Sequence, residues 1–291
     1  MKPQLTQTIN ELSSPESYNR VYQEPNHGMP MPSTEAMKDV VTFLREIIFP
    51  GYFGVDNLNE KIIRYYTGMN VKKLFILLSE QIKRGFCFEC KIPVLKKSHC
   101  VTCEYKAQQI AIAFIQELPE IRRILSTDIQ AAYNGDPAAH SIGEVIFCYP
   151  TVKVLLNYRV AHALVKLGVP LLPRIIAELA HSETGIDIHP EALIGEYFCI
   201  DHGTGVVIGA TSIIGNHVQI YQGVTLGAKN FPLDEQGNPI KGIARHPIVE
   251  DNVIIYANAT ILGRITIGKN AIIGGNMWIT EDVAKGAKVY N

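Results

Sequence analysis

The feature that most restricts what this chain can fold into is an aliphatic residue at every sixth position of its C-terminal third. Ile188, Ile194, Ile200 and Val206 stand six apart, and a two-residue slip restarts the count at Ile208, Ile214, Ile220 and Leu226. After an interruption come Val249, Ile255, Ile261, Ile267, Ile273 and Ile279. Neither the 3.6-residue period of a helix nor the two-residue period of a strand gives that spacing. The next slot is often glycine, at Gly195, Gly209, Gly215, Gly227, Gly268 and Gly274, with Asn216, Asn252, Asn270 and Asn276 nearby. Glycine, and less readily asparagine, accepts positive φ, so these residues are expected at the corners of a tightly turning chain. The pattern reads as a parallel β-helix of short strands, three hexads to a coil. Each aliphatic side chain stacks inside on its equivalents, with coils about 4.8 Å apart. Residues 228–247 are polar, carry three prolines and break the lattice. They are expected to leave the coil as an extruded loop able to reach a ligand.

The rest of the chain has a different grammar. Residues 1–32, with Pro3, Pro15, Pro25 and Pro30, read as a loosely ordered polar arm. Residues 33–184 read as an all-helical domain, and residues 185–291 as the coil, an α+β organisation overall. Ser33 is placed to cap a first helix, with Glu35 in its first turn. Further helices are expected from Val71, over 105–117, 120–133 and 151–167, with breaks at Pro119, Pro137, Pro150 and Pro170.

Composition narrows the partners. A formal net charge of -1 over 291 residues leaves no electrostatic footprint for nucleic acid or an anionic membrane. Residues 145–179 are the most apolar stretch, but Lys153, Arg159, Lys166 and Arg174 interrupt it, so no membrane span is expected. The first residues lack the basic start and apolar run of a signal peptide, which makes the cytoplasm the expected compartment and reduced thiols the expected state of the cysteines. Cys87-x-x-Cys90 and Cys100-x-x-Cys103 have the spacing of a tetrathiolate site for one structural zinc. Four buried thiols, or disulfides between adjacent helices, are the alternatives. Cys148 and Cys199 read as packing residues.

The polar residues inside the lattice carry the chemistry. They are Asp187-Ile188-His189-Pro190, Asp201-His202-Gly203-Thr204-Gly205, Gln222-Gly223-Val224-Thr225-Leu226-Gly227 and Arg245-His246-Pro247, in that order. Upstream stand Asp128-Ile129-Gln130-Ala131-Ala132-Tyr133 and Asp136-Pro137. Together these segments closely resemble the serine acetyltransferases, over about residues 117 to 280. The resemblance implies a left-handed β-helix and transfer of acetyl from acetyl-CoA to the hydroxyl of L-serine. That chemistry requires a base, since a serine hydroxyl is a poor nucleophile at neutral pH, and histidine is the side chain best poised for it. The resemblance puts the base at His202 and the carboxylate that orients it at Asp187. It puts the partners of the serine ammonium at Asp136 and Asp201. Arg245, with His246 beside it, is the natural donor fork for the serine carboxylate. It also implies that acetyl-CoA lies along the coil near Gly227, Ala228, Ala257 and Gly275.

Association is expected as a homotrimer with sites between neighbouring coils, with a dimer of trimers left open. Only twelve residues follow Ile279. Such a tail is expected neither to close over the site when cysteine binds nor to anchor a stable complex with a cysteine synthase. Two rival readings share the coil. One is a hexapeptide acetyltransferase for a sugar or another small alcohol or amine, which would not need a carboxylate-binding arginine. The other is a non-catalytic binding module.

Overall fold

The computed structural model describes residues 2–25, 28–90 and 101–290. The arm is more regular than its prolines suggested. It forms α1 (Pro3–Leu12) and α2 (Pro15–Tyr18), each with proline in its first turn, and neither buries a residue. The fixed φ of proline suits that position, where its missing N–H costs nothing.

The helical half begins as its cap signal implied. Ser33 Oγ accepts the Ala36 N–H at 3.2 Å and starts α3 (Thr34–Ile48), which buries Met37, Val40, Leu44, Ile47 and Ile48. Two long helices follow, α4 (Glu60–Glu89) and α5 (Val101–Gly135). The break expected at Pro119 does not occur, and α5 runs through it. The reason is the stripe Ala107, Ala111, Phe114, Leu118, Ile121, Leu125, Ile129 and Ala132. It is buried at helical spacing on both sides of the proline, while Pro119 itself is exposed. Continuous burial outweighs the roughly 3 kcal/mol that an interior proline costs. The half closes with α6 (Ile142–Cys148), α7 (Pro150–Lys166) and α8 (Leu172–Thr184). Among the described residues no helix is long and apolar enough to cross a membrane.

From β1 (Asp187–Ile188) to β14 (Lys288–Val289), short parallel strands numbered in chain order build three sheets, the three sides of a left-handed coil. One side stacks Ile188, Ile208, Leu226, Ile261 and Ile279. The second stacks Ile194, Ile214, Val249 and Ile267, and the third Ile200, Ile220, Ile255, Ile273 and Val289. Val206 is buried but is a corner residue, outside the stacks. The lattice also runs past Ile279, because β14 pairs with β12 (Ile272–Ile273) and forms the last side.

The periodic glycines do a different job from the one expected. None of Gly195, Gly209, Gly215, Gly227, Gly268 and Gly274 has positive φ. They are required because the next coil passes too close for a Cβ. One added at Gly195 would lie 2.7 Å from the Gly215 carbonyl oxygen, and one at Gly268 would lie 2.6 Å from the Lys285 nitrogen. Left-handed corners fall instead on residues such as Asn252, Asn258, Asn270 and Asn276, whereas Asn216 is not among them.

A buried polar clamp joins the two halves. Arg159 on α7 binds both carboxylate oxygens of Asp128 on α5 and donates to the Ile194 and Gly195 carbonyls, each at 2.6 Å. Asp128 also accepts the Phe198 N–H at 3.0 Å, and Tyr158 donates to the Ala192 carbonyl at 2.6 Å. The C-terminal end of α5 is thereby fixed against the first coil.

Candidate active site

The slip in the sequence lattice is a physical bulge. From Ile200 to Ile208 the chain takes eight residues, where the equivalent passage from Ile220 to Leu226 takes six. The corner between β3 (Cys199–Asp201) and β4 (Val207–Ile208) therefore carries two additional residues. Here His202 has φ 57° and Gly203 φ 92°. A left-handed residue that is not glycine costs about 1–2 kcal/mol. The strained corner leaves the imidazole 77% exposed, with Nε2 3.9 Å from Asp201 Oδ1.

The end of α5 delivers Asp136 to the same corner. Its carboxylate accepts the Ala138 N–H at 2.8 Å and the Tyr149 hydroxyl at 2.5 Å. The Tyr149 bond, then the Ala138 bond, hold Asp136 below the usual carboxylate range, and His202 adds a smaller pull in the same direction. The Tyr149 phenol is pushed up to about 12, chiefly by that bond to Asp136. Gln219 and Tyr221 complete the neighbourhood, with Gln219 Nε2 3.1 Å from the Tyr221 hydroxyl. Tyr149 and Tyr221 were not legible as site residues; no spacing links them to Asp136 or His202.

Asp187 lies on β1, half-buried, and donates its N–H to the Val206 carbonyl at 2.9 Å. Among the described residues no hydrogen bond or ion pair joins its side chain to His202. Arg245 and His246 sit at the next corner, against Thr211, one side further round the coil. His246 is 7% exposed and turns inward. Its Nδ1 accepts the Thr211 N–H at 3.1 Å, while Thr211 Oγ1 accepts the N–H groups of Arg245 and His246 at 2.9 and 3.1 Å. Burial, with Arg245 adding to it, lowers the His246 imidazole to about 4. Gly209 makes room for the ring, since a Cβ there would lie 2.0 Å from it. The loop from Ala228 to Pro247 is exposed for most of its length and, with His189, Thr211 and Arg245, lines an open cleft of about 1000 Å³.

The four residues expected near acetyl-CoA fall into two pairs. Ala257 and Gly275 follow Ile255 and Ile273 by two, as His202 follows Ile200 and Gln222 follows Ile220. They form one column up the His202 corner, where a Cβ on Gly275 would lie 3.2 Å from the Ala257 carbonyl oxygen. Gly227 and Ala228 lie at the end of β7 (Thr225–Gly227), toward the Arg245 corner. One chain thus brings Asp136, Asp201, His202, Ala257 and Gly275 to one edge, and Gly227, Ala228, Arg245 and His246 to another.

Of the four clustered cysteines, Cys100 lies outside the described residues. Cys87 is buried, and Cys90 and Cys103 are half-buried. Among the described residues no group of three or more histidine, cysteine, aspartate or glutamate side chains is placed to hold a metal.

A coil of stacked hexads with a histidine and two carboxylates at one bulged corner defines a hexapeptide-repeat acyltransferase. In agreement, the family described as bacterial transferase hexapeptide (six repeats) matches residues 246–277. The chain is 50% identical over 258 residues to a plasmid-borne serine acetyltransferase of Synechococcus elongatus, covering 89% of this chain and 81% of that one. Among solved structures it is similar to serine acetyltransferase 1 of Entamoeba histolytica in complex with L-cysteine. The TM-score is 0.74 at 36% identity, covering 95% of this chain and 94% of that one. A serine acetyltransferase in complex with CoA is a more distant neighbour, with TM-score 0.54 and 26% identity over 87% of this chain and 95% of that one. The chain belongs to the serine acetyltransferases.

Proposed function

We propose that the chain moves the acetyl group of acetyl-CoA to the hydroxyl of L-serine with His202 as general base. The imidazole takes the hydroxyl proton as the serine oxygen attacks the thioester carbonyl carbon. The tetrahedral intermediate collapses, the carbon–sulfur bond breaks, and the imidazolium returns the proton to the CoA thiolate. Asp187 orients the imidazole, and backbone N–H groups near Gly227 face the oxyanion. Asp136 and Asp201 take the serine ammonium, and Arg245 its carboxylate, with His246 anchoring the loop that carries Arg245.

The observation that carries this reading is the bulged corner itself. It spends backbone strain to expose His202 beside two carboxylates, one of them kept ionised by Tyr149. The small residues Ala257 and Gly275 lead away along the same edge, leaving clearance for a thin chain such as pantetheine. The related structure in complex with CoA supports acetyl-CoA as the donor. Because the proposed carboxylate fork and base occupy different corners of one chain, the complete site is assigned to the junction of two coils in a homotrimer. The decisive assay follows loss of thioester absorbance with L-serine, homoserine, a galactoside or no acceptor. Turnover only with L-serine is the expected result, and preference for the galactoside would install the sugar reading.

A zinc held by Cys87, Cys90, Cys100 and Cys103 belongs to this proposal as a structural element without catalytic duty. The CxxC spacing is its basis, and the Lys83–Glu104 ion pair of 2.9 Å ties α4 one turn before Cys87 to the residue that follows Cys103. Elemental analysis of protein purified without chelator is expected to find about one metal per chain. Less than about a tenth of an equivalent would reject it.

A further inference from the structure

Away from the coil, α3, α7 and α8 border a cavity of about 300 Å³ that receives Arg45, Lys153 and Glu183, one from each helix. Glu183 pairs with Lys153. Arg45 has no such acid among the described residues. Its guanidinium lies over the Phe53 ring, 4.4 Å from the centroid, and its Nε is buried without a hydrogen-bond partner. Lys153 stands near enough to feel it: burial first, then the charge of Arg45, hold the ammonium below the usual lysine range. Two cations and one carboxylate therefore line one partly desolvated place, a deficit of one negative charge.

Three phenylalanine rings, Phe49, Phe53 and Phe147, form part of the remaining wall. Phe53 meets Phe147 edge-on at 5.4 Å between centroids, and Phe49 meets Phe53 in the same manner at 6.2 Å. Such rings favour a flat apolar body, while an unmatched guanidinium favours a carboxylate held by two parallel N–H bonds. A volume near 300 Å³ is at the small end for ligand pockets, which limits the occupant to about one ring and one acid group. We propose that this pocket binds a small aromatic carboxylate, with Arg45 as the anchor of its anionic group. Tyr149 is part of the wall, so an occupant touches the residue whose hydroxyl holds Asp136.

The test is calorimetric titration of the full chain, without substrates, using benzoate, benzyl alcohol and acetate. Its outcome does not depend on the acetyl-transfer reading. Benzoate is expected to bind saturably with Kd of about 1 mM or lower, and the other two at least about tenfold more weakly. Arg45→Gln should weaken benzoate about tenfold or more and leave acetyl transfer in the absence of benzoate unchanged, and Arg45→Lys should restore little of the affinity, since a point charge does not replace the planar fork. Should Arg45→Gln fail to fold, Phe147→Ala removes a ring that is 60% exposed, and it should weaken benzoate selectively. Saturable benzoate binding that ignores whichever of these variants folds would overturn the assignment. So would no saturation below about 10 mM, or acetate binding as tightly as benzoate.

Discussion

His202 and His246 occupy neighbouring corners of one coil and have opposite surroundings. His202 is 77% exposed on a left-handed corner and faces carboxylates; His246 is 7% exposed, lies against Gly209 and Thr211, and faces arginines. Both owe their position to an interruption of the hexad lattice. A two-residue insertion pushes one side chain outward, and a long loop returning to the coil tucks the other inward. Residue type alone therefore does not mark a base. What distinguishes the two is whether the backbone departs from the lattice under the side chain or beside it.

The largest expected effect separates the two histidines by rate. His202→Ala should lower kcat by roughly two to four orders of magnitude while acetyl-CoA affinity, measured by titration, stays within a factor of about two. Near-normal turnover in the purified variant would remove His202 from the mechanism and erase the contrast. At the second corner, Arg245→Ala should raise the KM for serine by about 10–100-fold and that for acetyl-CoA much less, the worth of a charged hydrogen bond. Arg245→Lys should recover little, since a point charge does not replace a planar fork. Equal changes in both KM values would contradict the serine-carboxylate assignment.

A pH titration of stability sharpens the comparison further. The folded chain holds His246 at about 4, below the usual 6.5 or so of an unfolded histidine. As pH falls, the unfolded chain takes the proton first, so this stabilisation is complete above about pH 6.5 and is lost between there and about pH 4. The loss should be of order 1–3 kcal/mol in urea unfolding. His246→Gln should flatten that slope and His202→Gln should not; identical slopes in all three proteins would mean that His246 is not held neutral by burial. The smallest effect is reserved for Tyr149→Phe. Removing the hydroxyl that Asp136 accepts should raise the serine KM about three- to tenfold with kcat little changed. An unaltered KM would show that Asp136 needs no such support.

Much of this was legible in the residues because the interior of a narrow coil admits little besides aliphatic side chains. Ile200, Ile220, Ile255 and Ile273 had to repeat, and the slip read after Val206 announced the bulge. The slip was displaced by one slot because Val206 is buried at a corner and imitates a lattice residue. The glycines were legible as a pattern, with their cause inverted. Clearance to the next coil selects Gly195 and Gly268, and backbone handedness selects Asn252 and Asn270. The last side escaped notice because the chain takes ten residues from Ile279 to Val289, where two regular hexads would take twelve. Tyr149 escaped because its meeting with Asp136 is made by the path of α6, which no motif records.

The column of His202, Gln222, Ala257 and Gly275 has a metric consequence. Successive strands of a sheet are spaced at about 4.8 Å, so Gly275 stands three rungs from His202, about 14 Å along the axis. The coil is thus a ruler as well as a scaffold, graduated in steps that only whole repeats can change. Deleting the eighteen residues 257–274, one whole coil, would keep the remaining hexads in register, put Gly275 in the place of Ala257 and shorten the ruler by one graduation. A donor gripped at its far end would then present its reactive carbon about 5 Å from its place beside the proposed base.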